Sequence, residues 1–350
     1  MKKNCILHVG LHKTGSSSIQ LSLFHHLNDE NFSFLDLGAP NHSERFYSLF
    51  VEKPELYHMN IRKGFDINHI NEYNQETKQI IHNSVINSEA KSIIISGEDI
   101  SVLTIQALQN LKLFLQNYFL NIKIIAYVRS PYSYFSSSFQ ESVKAGICDF
   151  NLKNYYHNYR NRIEKFDKVF GLSNVNVWEF NPRLFTDNNV VLDFCDKLDI
   201  KFSKNKVIRL NDSLSKEALS LLYIYYKYGP GYGEGNNVQQ ENNLLLESIK
   251  TLGRTKLRFS PQLIRSIIES NKDDINWIEE RIQCDFHDEL EEYETDIVSE
   301  ESLLTINLPI LDSLFQMLAS QNVQNIMEFM PETLEDIAGL IHKFRQELSQ

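Results

Sequence analysis

Short runs rich in Ile and Val alternate with longer, helix-compatible segments through much of the chain. The apolar runs are CILHVG at 5–10, SIIIS at 92–96, IKIIAYV at 122–128 and VNVWEF at 175–180, with a weaker one, FSFLDLG, at 32–38. Helix-length segments lie between them at about 16–28, 70–90, 101–119, 131–145 and 186–198. Buried strands that alternate with helices are typical of a parallel sheet covered on both faces. The pattern therefore predicts an α/β fold.

Beyond residue 215 the sequence favours helices and loops. Gly and Asn in YGPGYGEGNN at 228–237 predict a loop, and SPQLIRSIIES at 260–270 starts a helix with Ser260 as N-cap. The stretch at 285–303 has nine acidic residues and no Lys or Arg, which we interpret as a solvated linker. We therefore predict an α/β domain with a helical end over 1–290, then an acidic linker and helical tail over 291–350.

The last twenty residues form an amphipathic pattern. In PETLEDIAGLIHKFRQELSQ, at 331–350, one helical stripe carries the apolar residues Leu334, Ile337, Ile341, Phe344 and Leu348. Such a stripe packs either within its own chain or against a partner helix. The second alternative would make the protein a homodimer.

Composition excludes some classes of function. The net charge of −11 argues against a general nucleic-acid or membrane-surface partner, because both need a basic surface. No apolar run is long enough to span a membrane, and the N-terminus does not have the pattern of a signal peptide. We expect a cytoplasmic protein with reduced thiols at its four cysteines, Cys5, Cys148, Cys195 and Cys284.

The sequence LHVGLHKTGSSSIQ, at 7–20, runs from a strand through a Gly-containing loop into a helix. This arrangement presents backbone N–H groups and a helix N-terminus to an anion. Gly10 and Gly15 have the separation of a nucleotide-binding P-loop, but Ser16 occupies the lysine slot and the loop lysine is Lys13. The displaced lysine argues against a nucleoside triphosphatase. A Ser-rich loop that only caps a helix is the alternative.

A second motif follows the predicted strand at 122–128. In IIAYVRSPYSYFSSSFQESVKAG, at 124–146, the strand ends at Arg129, and Ser130 and Pro131 suit the start of a helix. Ser137 lies two helical turns after Ser130, on the same face. Arginine and a hydroxyl so arranged can bind a phosphate, and a strand end at the carboxyl edge of a parallel sheet is a ligand-binding position.

Together these two motifs resemble the sulfotransferase family that uses 3′-phosphoadenosine 5′-phosphosulfate (PAPS), and bacterial sulfotransferase-like proteins in particular. HKTGSSS looks like the family's 5′-phosphosulfate loop, and RSPYSYFSS like its 3′-phosphate motif. The resemblance covers roughly residues 4–285. It implies a P-loop-like three-layer domain, a helical C-terminal region, and transfer from PAPS without a metal. Many relatives place a Trp where this chain has Ser18, so the residues that hold the adenine stay unassigned.

The resemblance also implies roles for single residues. Lys13 matches the family lysine that stabilises the leaving bridging oxygen, and Arg129 and Ser137 match the groups that bind the 3′-phosphate. The remaining donor-binding residues carried over from the loop are His12, Thr14, Gly15, Ser16 and Ser17.

A general base would remove the proton of the acceptor, and relatives use His or Glu for this step. SIIISGEDIS, at 92–101, places Glu98 directly after a buried strand, where a side chain enters the crevice at the carboxyl edge. Glu98 is our first candidate; the alternative is that Glu98 or Asp99 caps the following helix. His42, in the polar segment APNHSERF, is the second candidate.

The sequence leaves the acceptor open between a glycan, a lipid and a small metabolite. Segments 38–75 and 228–240 are expected to shape its pocket, and the first contributes the aromatic residues Phe46, Tyr47, Phe50 and Tyr57. Two rival functions remain: a P-loop kinase that uses ATP, and a degenerate nucleotide-binding module that acts as an interaction protein.

Overall fold

The chain divides into two compact units. A computed structural model describes residues 2–210, 213–233, 237–286, 288, 291–320 and 331–348. The first unit contains Met1–Ser130, Asn158–Leu210 and Asp273–Phe286, and the second contains Pro131–His157, Asn211–Lys272 and His287–Gln350. Among the described residues, no helix is both long and apolar enough to cross a membrane.

The first unit is built on a parallel sheet of five strands. These are β1 (Lys3–His8), β2 (Phe32–Phe34), β3 (Ser92–Ser96), β4 (Phe119–Val128) and β5 (Val175–Glu179). Their order across the sheet is β2-β3-β1-β4-β5, and every neighbouring pair is parallel. In the centre, Leu7 is in register with Ile95 of β3 and Ile124 of β4.

Helices occupy most of the remaining described chain. They are α1 (Ser16–His26), α2 (Ser43–Phe50), α3 (His58–Arg62), α4 (Ile67–Asn87), α5 (Ile105–Gln116), α6 (Pro131–Lys144), α7 (Tyr159–Phe170), α8 (Val190–Lys197), α9 (Lys216–Tyr228), α10 (Val238–Ile249), α11 (Pro261–Ser270), α12 (Lys272–Ile282), α13 (Glu300–Leu304), α14 (Leu308–Ser320) and α15 (Leu334–Leu348). Short 3-10 helices lie at Pro54–Leu56, Glu98–Val102, Leu152–Tyr155, Leu172–Asn174, Thr186–Asn188 and Lys204–Lys206.

Helices cover both faces of the sheet. On one face, Ile6 and Ile125 join a buried cluster with Ile19 of α1 and Phe194 of α8. On the other face, α5 and α7 pack against β4. The strands are apolar on both sides for this reason, and the predicted α/β fold with a parallel sheet is confirmed.

The strand order brings three separate sequence segments to one edge. Because β1 lies between β3 and β4, and all three run in the same direction, the segments that follow them emerge side by side at the carboxyl edge. These segments are the loop from Val9 to Gly15, the stretch from Gly97 to Asp99, and Arg129.

The second unit has a helical core around α9. Ile337, Ile341 and Phe344 of the C-terminal helix α15 are buried in the same cluster as Leu221 and Tyr225 of α9. The apolar stripe predicted for this tail therefore packs within its own chain. Arg345 donates to the hydroxyl of Tyr225 at 3.1 Å and strengthens the contact.

The acidic stretch at 285–303 differs in part from its prediction. Ile297 and Leu303 are fully buried, and the carboxylate of Asp296 pairs with Arg258 at 3.2 Å. Residues 291–295 are exposed, as expected of a solvated linker, whereas the apolar side chains at 297 and 303 enter the core of the second unit. The second unit draws on three separate parts of the chain, and the predicted division after residue 290 stays a prediction.

Candidate active site

The loop between β1 and α1 adopts a backbone that requires two glycines. Gly10, Lys13 and Gly15 have φ angles of 90°, 65° and 76°, in the left-handed region. At Gly15 a side chain is excluded by packing as well, since a Cβ there would lie 2.8 Å from Cγ1 of Val190. Lys13 takes this conformation without being glycine, which is unfavourable unless neighbouring contacts hold it.

Several hydrogen bonds fix this β1–α1 loop. The Leu11 N–H donates to the carbonyl of Tyr127 at 3.0 Å, which joins the loop to the end of β4. The Leu11 carbonyl accepts from the buried hydroxyls of Thr14 at 2.5 Å and Ser16 at 3.5 Å. The hydroxyls of Thr14 and Ser16 are thus turned inward to the loop, whereas Ser17 is exposed.

The loop leads directly into the N-terminus of α1. Gly15 is the N-cap and Ser16 the first helical residue. The first N–H groups of an α-helix have no acceptor within the helix, and the helix dipole places partial positive charge there. Together with Lys13, this end of α1 forms a site suited to an anion.

Arg129 lies beside the loop at the end of β4. Its Nη1 donates to the carbonyl of Lys13 at 3.2 Å, and its guanidinium lies over the ring of Phe180, 5.4 Å from the centroid. The hydroxyl of Tyr159 donates to the Arg129 carbonyl at 2.7 Å. The arginine predicted from sequence is thus next to the predicted anion loop. Ser137 lies on α6 in the second unit, so its pairing with Arg129 stays a prediction.

Glu98 lies on the other side of the loop, beyond the end of β3. A Cβ built on Gly10 would be 3.1 Å from Cβ of Glu98, so the two segments are in close contact. Burial raises the pKa of Glu98 above its ordinary range, and the charge of Asp99 adds to the effect, whereas His12 and Lys13 oppose it. Asn41 donates to its Oε1 at 3.4 Å. A carboxylate with a raised pKa beside an anion loop is well suited to accept a proton.

Asp99, the next residue, is held in a contrasting way. Burial alone would raise its pKa, but hydrogen bonds from His12 and Tyr57 outweigh this and keep the pKa below its ordinary value. Its Oδ1 lies 3.1 Å from Nε2 of His12, and its Oδ2 accepts from the Tyr57 hydroxyl at 2.7 Å. Two adjacent carboxyl groups with pKa values displaced in opposite directions are typical of distinct roles in one site.

Neither carboxylate caps the following helix. Helix α5 starts at Ile105, where the Thr104 hydroxyl accepts from the Ala107 N–H at 3.1 Å. Residues 98–102 form a 3-10 helix instead, preceded by Gly97. The alternative that Glu98 or Asp99 serves only as a helix cap is therefore wrong.

His42 is not at the surface. The ring is fully buried between Phe34 and Phe46, and its Nδ1 accepts a hydrogen bond from the Ser96 N–H at 3.1 Å. Burial lowers the pKa of His42 to about 3. Its main visible role is to fasten the segment before α2 to the end of β3, and we leave it out of the mechanism proposed below.

A pocket of about 360 Å³ lies beside Asp99 in the same unit. Its lining residues are Tyr47, Val51, Lys53, Leu56, Tyr57, His58, Asp99 and Val102. Among these residues Tyr57 is buried, whereas Lys53, Leu56 and His58 are exposed. Two of the four aromatic residues expected to shape an acceptor pocket, Tyr47 and Tyr57, line it.

Three residues of this site did not enter the sequence prediction of its chemistry. Asn41 contacts Glu98, Ser43 accepts from the Asp99 N–H at 3.1 Å, and Asp99 joins the loop to the pocket. The acid next to Glu98 was visible in the GED sequence, but its partners are distant in the chain. Among the described residues, no cluster of three or more His, Cys, Asp or Glu is arranged to hold a metal ion.

Comparisons with known proteins find distant structural likenesses. No family model matches the chain, and no curated protein matches it. A sulfotransferase from Alicyclobacillus acidocaldarius is similar at 14% identity and a TM-score of 0.45, covering 82% of this chain and 98% of its own. A sulfotransferase domain from the curacin biosynthetic pathway is similar at 13% identity and a TM-score of 0.36, covering 59% of this chain and 77% of its own. Likenesses this distant carry no argument about this chain's activity.

Proposed function

We propose that this protein is a sulfotransferase that moves a sulfuryl group from PAPS to a hydroxyl or amine of an acceptor. The observation that supports it most is the meeting of Lys13 and Glu98 at one edge of the sheet. Lys13 belongs to a loop suited to an anion, and Glu98 has a raised pKa and packs against Gly10 of the same loop. Sulfuryl transfer needs both a cation at the leaving oxygen and a proton acceptor for the nucleophile.

The reaction uses these groups in one step. The acceptor oxygen or nitrogen attacks sulfur and forms the new bond, while the bond between sulfur and the bridging oxygen breaks. The electron pair of that bond stays on the bridging oxygen, which becomes a phosphate oxygen of 3′-phosphoadenosine 5′-phosphate (PAP). Glu98 takes the proton of the acceptor. Lys13 stabilises the charge on the bridging oxygen.

In this proposal the loop and Arg129 bind different phosphates of the nucleotide. The N–H groups of Thr14, Gly15, Ser16 and Ser17 bind the 5′-phosphate at the N-terminus of α1, and the exposed Ser17 hydroxyl adds to them. Arg129, already beside Lys13, binds the 3′-phosphate together with Ser137. His12 contributes through its place in the loop, since its Nε2 is bonded to Asp99.

The pocket beside Asp99 is the place we propose for the acceptor. Its lining residue Asp99 directly follows Glu98 in the chain. The carboxylate of Asp99 also contacts His12 of the β1–α1 loop. The aromatic and aliphatic side chains of the pocket suit a ring with an apolar face, and the Asp99 carboxylate with the Tyr57 hydroxyl adds polar groups. A small molecule or one residue of a glycan fits a pocket of about 360 Å³.

The first test compares two nucleotides that differ only in the 3′-phosphate. PAP is expected to stabilise the fold by about 2.7 kcal/mol at a hundredfold excess over its dissociation constant, by mass-action linkage. Adenosine 5′-monophosphate should stabilise it clearly less, because it offers nothing to Arg129. Thermal denaturation with each nucleotide at equal concentration is the measurement. Equal increases in melting temperature with the two nucleotides would contradict the assignment of Arg129 to the 3′-phosphate.

The matched variants are Arg129→Ala and Ser137→Ala. Arg129→Ala should weaken PAP binding more, because a charge-assisted bidentate contact is about twice as strong as a neutral one. With Arg129→Ala, PAP and adenosine 5′-monophosphate should bind with nearly equal affinity.

If ATP with Mg²⁺ binds better than PAP, and EDTA abolishes activity, the kinase alternative replaces this proposal. If PAP binds but labelled PAPS transfers its sulfuryl group to no acceptor in a screen, the protein is instead the degenerate nucleotide-binding module.

A further inference from the structure

Asp99 connects two parts of the site that are remote in sequence. One carboxylate oxygen lies 3.1 Å from Nε2 of His12 in the β1–α1 loop, and the other accepts from Tyr57 in the pocket at 2.7 Å. The backbone of Asp99 is fixed as well, since its N–H donates to Oγ of Ser43 at 3.1 Å. Anchored at the end of β3, the carboxylate can therefore restrain groups on both sides.

The charge state of Asp99 determines which group donates and which accepts in these hydrogen bonds. Its pKa lies below the ordinary value, so the carboxylate is ionised and can only accept hydrogen bonds. Both His12 and Tyr57 must then donate to it, which fixes the proton of His12 on Nε2. The Asp99 and His12 side chains are 20% and 36% exposed, so the contact is partly shielded from water and stronger than a surface pair.

The backbone next to His12 needs such a restraint. Lys13 has a φ of 65°, in a region that is unfavourable for a residue with a side chain. Arg129 donates to the Lys13 carbonyl at 3.2 Å on the β4 side, and Asp99 holds His12 on the β3 side. The unfavourable conformation of Lys13 is thus held between contacts from both neighbouring strands.

We propose that Asp99 is a positioning residue for the transfer. It holds His12 so that the β1–α1 loop, with Lys13 at a φ of 65°, keeps the backbone conformation that presents its N–H groups to the donor phosphate, and its hydrogen bond to Tyr57 links this loop to the pocket. The inference rests on the proposed function and adds to it a route by which the pocket acts on the donor loop. Asp99 acts through His12 and Tyr57, and not as the proton acceptor.

Binding of PAP tests this role, because simple electrostatics predicts the opposite sign. Asp99→Asn removes a negative charge near a site for phosphate, which by itself would tighten PAP binding. Asparagine has only one side-chain oxygen, so it can accept from either His12 or Tyr57 but not from both in the present geometry. Its NH₂ group then faces the other donor, and that hydrogen bond is lost. We therefore expect calorimetry to show PAP binding about tenfold weaker, the order of one charge-assisted hydrogen bond. Unchanged or tighter binding would overturn the proposal.

Tyr57→Phe provides a second variant that leaves the charge intact. Removal of this hydroxyl should weaken PAP binding by about two- to fivefold, although Tyr57 lies in the pocket and not in the loop. Tyr47→Phe is the matched control: it removes a hydroxyl from the same pocket, with its ring 4.5 Å from that of Tyr57, but leaves the Tyr57–Asp99 bond in place. Equal effects of the two tyrosine variants would overturn the link between pocket and loop.

The double variant separates positioning from general loss of stability. Because the effect of Tyr57 passes through Asp99, Asp99→Asn with Tyr57→Phe should bind PAP no more weakly than Asp99→Asn alone. Additive losses contradict the proposal. If Asp99→Asn fails to fold in a thermal melt, the comparison of Tyr57→Phe with Tyr47→Phe decides the question. Failure of the unaltered protein to bind PAP would instead remove the proposed function itself.

Discussion

Replacement of Lys13 by alanine is expected to lower the rate of sulfuryl transfer by about 100- to 1,000-fold, with only a modest loss of donor affinity. In bound PAPS the oxygen between phosphorus and sulfur carries little negative charge, but it gains the electron pair as the bond to sulfur breaks. An ammonium beside it therefore stabilises the transition state more than the ground state. The N-terminus of α1 still holds the 5′-phosphate in the variant.

Single-turnover transfer from labelled PAPS, beside calorimetric binding of PAP, measures the two effects separately. The acceptor for this assay comes from a screen with the same donor. Lys13→Arg should recover little, because a planar guanidinium does not replace a compact ammonium. The control is Lys78→Ala, which removes the same charge from an exposed position on α4. Lost PAP binding with unchanged chemistry would make Lys13 a phosphate anchor and contradict the mechanism.

The sheet could be predicted from the sequence because local pattern determines it. The strand at 92–96 has the predicted bounds, since three consecutive isoleucines lie between Ser92 and Ser96, with Lys91 before the strand and Gly97 after it. Helix starts were less accurate. The helix expected from about residue 101 begins at Ile105, because residues 98–102 form a 3-10 helix and Thr104 is the N-cap. Apolar periodicity does not distinguish these two helical forms over one turn.

The contacts that complete the site could not be predicted in the same way. Asn41 and Glu98 are 57 residues apart, and they meet because β2 and β3 are neighbours in the sheet, an order that sequence does not determine. His42 lies in a polar segment, which suggested exposure. The pairing of its Nδ1 with the Ser96 N–H instead allows the ring to be buried between two phenylalanines. Both differences arise from pairings between distant segments.

Replacement of Glu98 by glutamine is expected to lower the rate of transfer by about 100- to 10,000-fold, the usual contribution of a general base. Glutamine keeps the size of the side chain and its carbonyl can still accept from Asn41, so the contact with Gly10 should persist. It cannot accept the proton of the acceptor. The removal of a partly buried negative charge should leave PAP binding unchanged or slightly tighter, because the nucleotide is itself an anion.

The pH profile distinguishes a base from a residue that only maintains the structure. Glu98 acts as a base only when it is ionised, so the rate should rise as pH increases through the pKa of Glu98 and then become constant. Burial raises that pKa, which places the rise at higher pH than an ordinary glutamate would. In Glu98→Gln this rise should disappear, and only a low rate without that dependence should remain.

The control is Glu89→Gln, which makes the same chemical change at an exposed position before β3, at the opposite end of the strand. It should keep both the rate and the profile of the unaltered protein. If Glu98→Gln retains the rise with pH while its rate falls, the titrating group lies elsewhere and Glu98 only shapes the site. If neither its rate nor its profile changes, Glu98 does not take the proton.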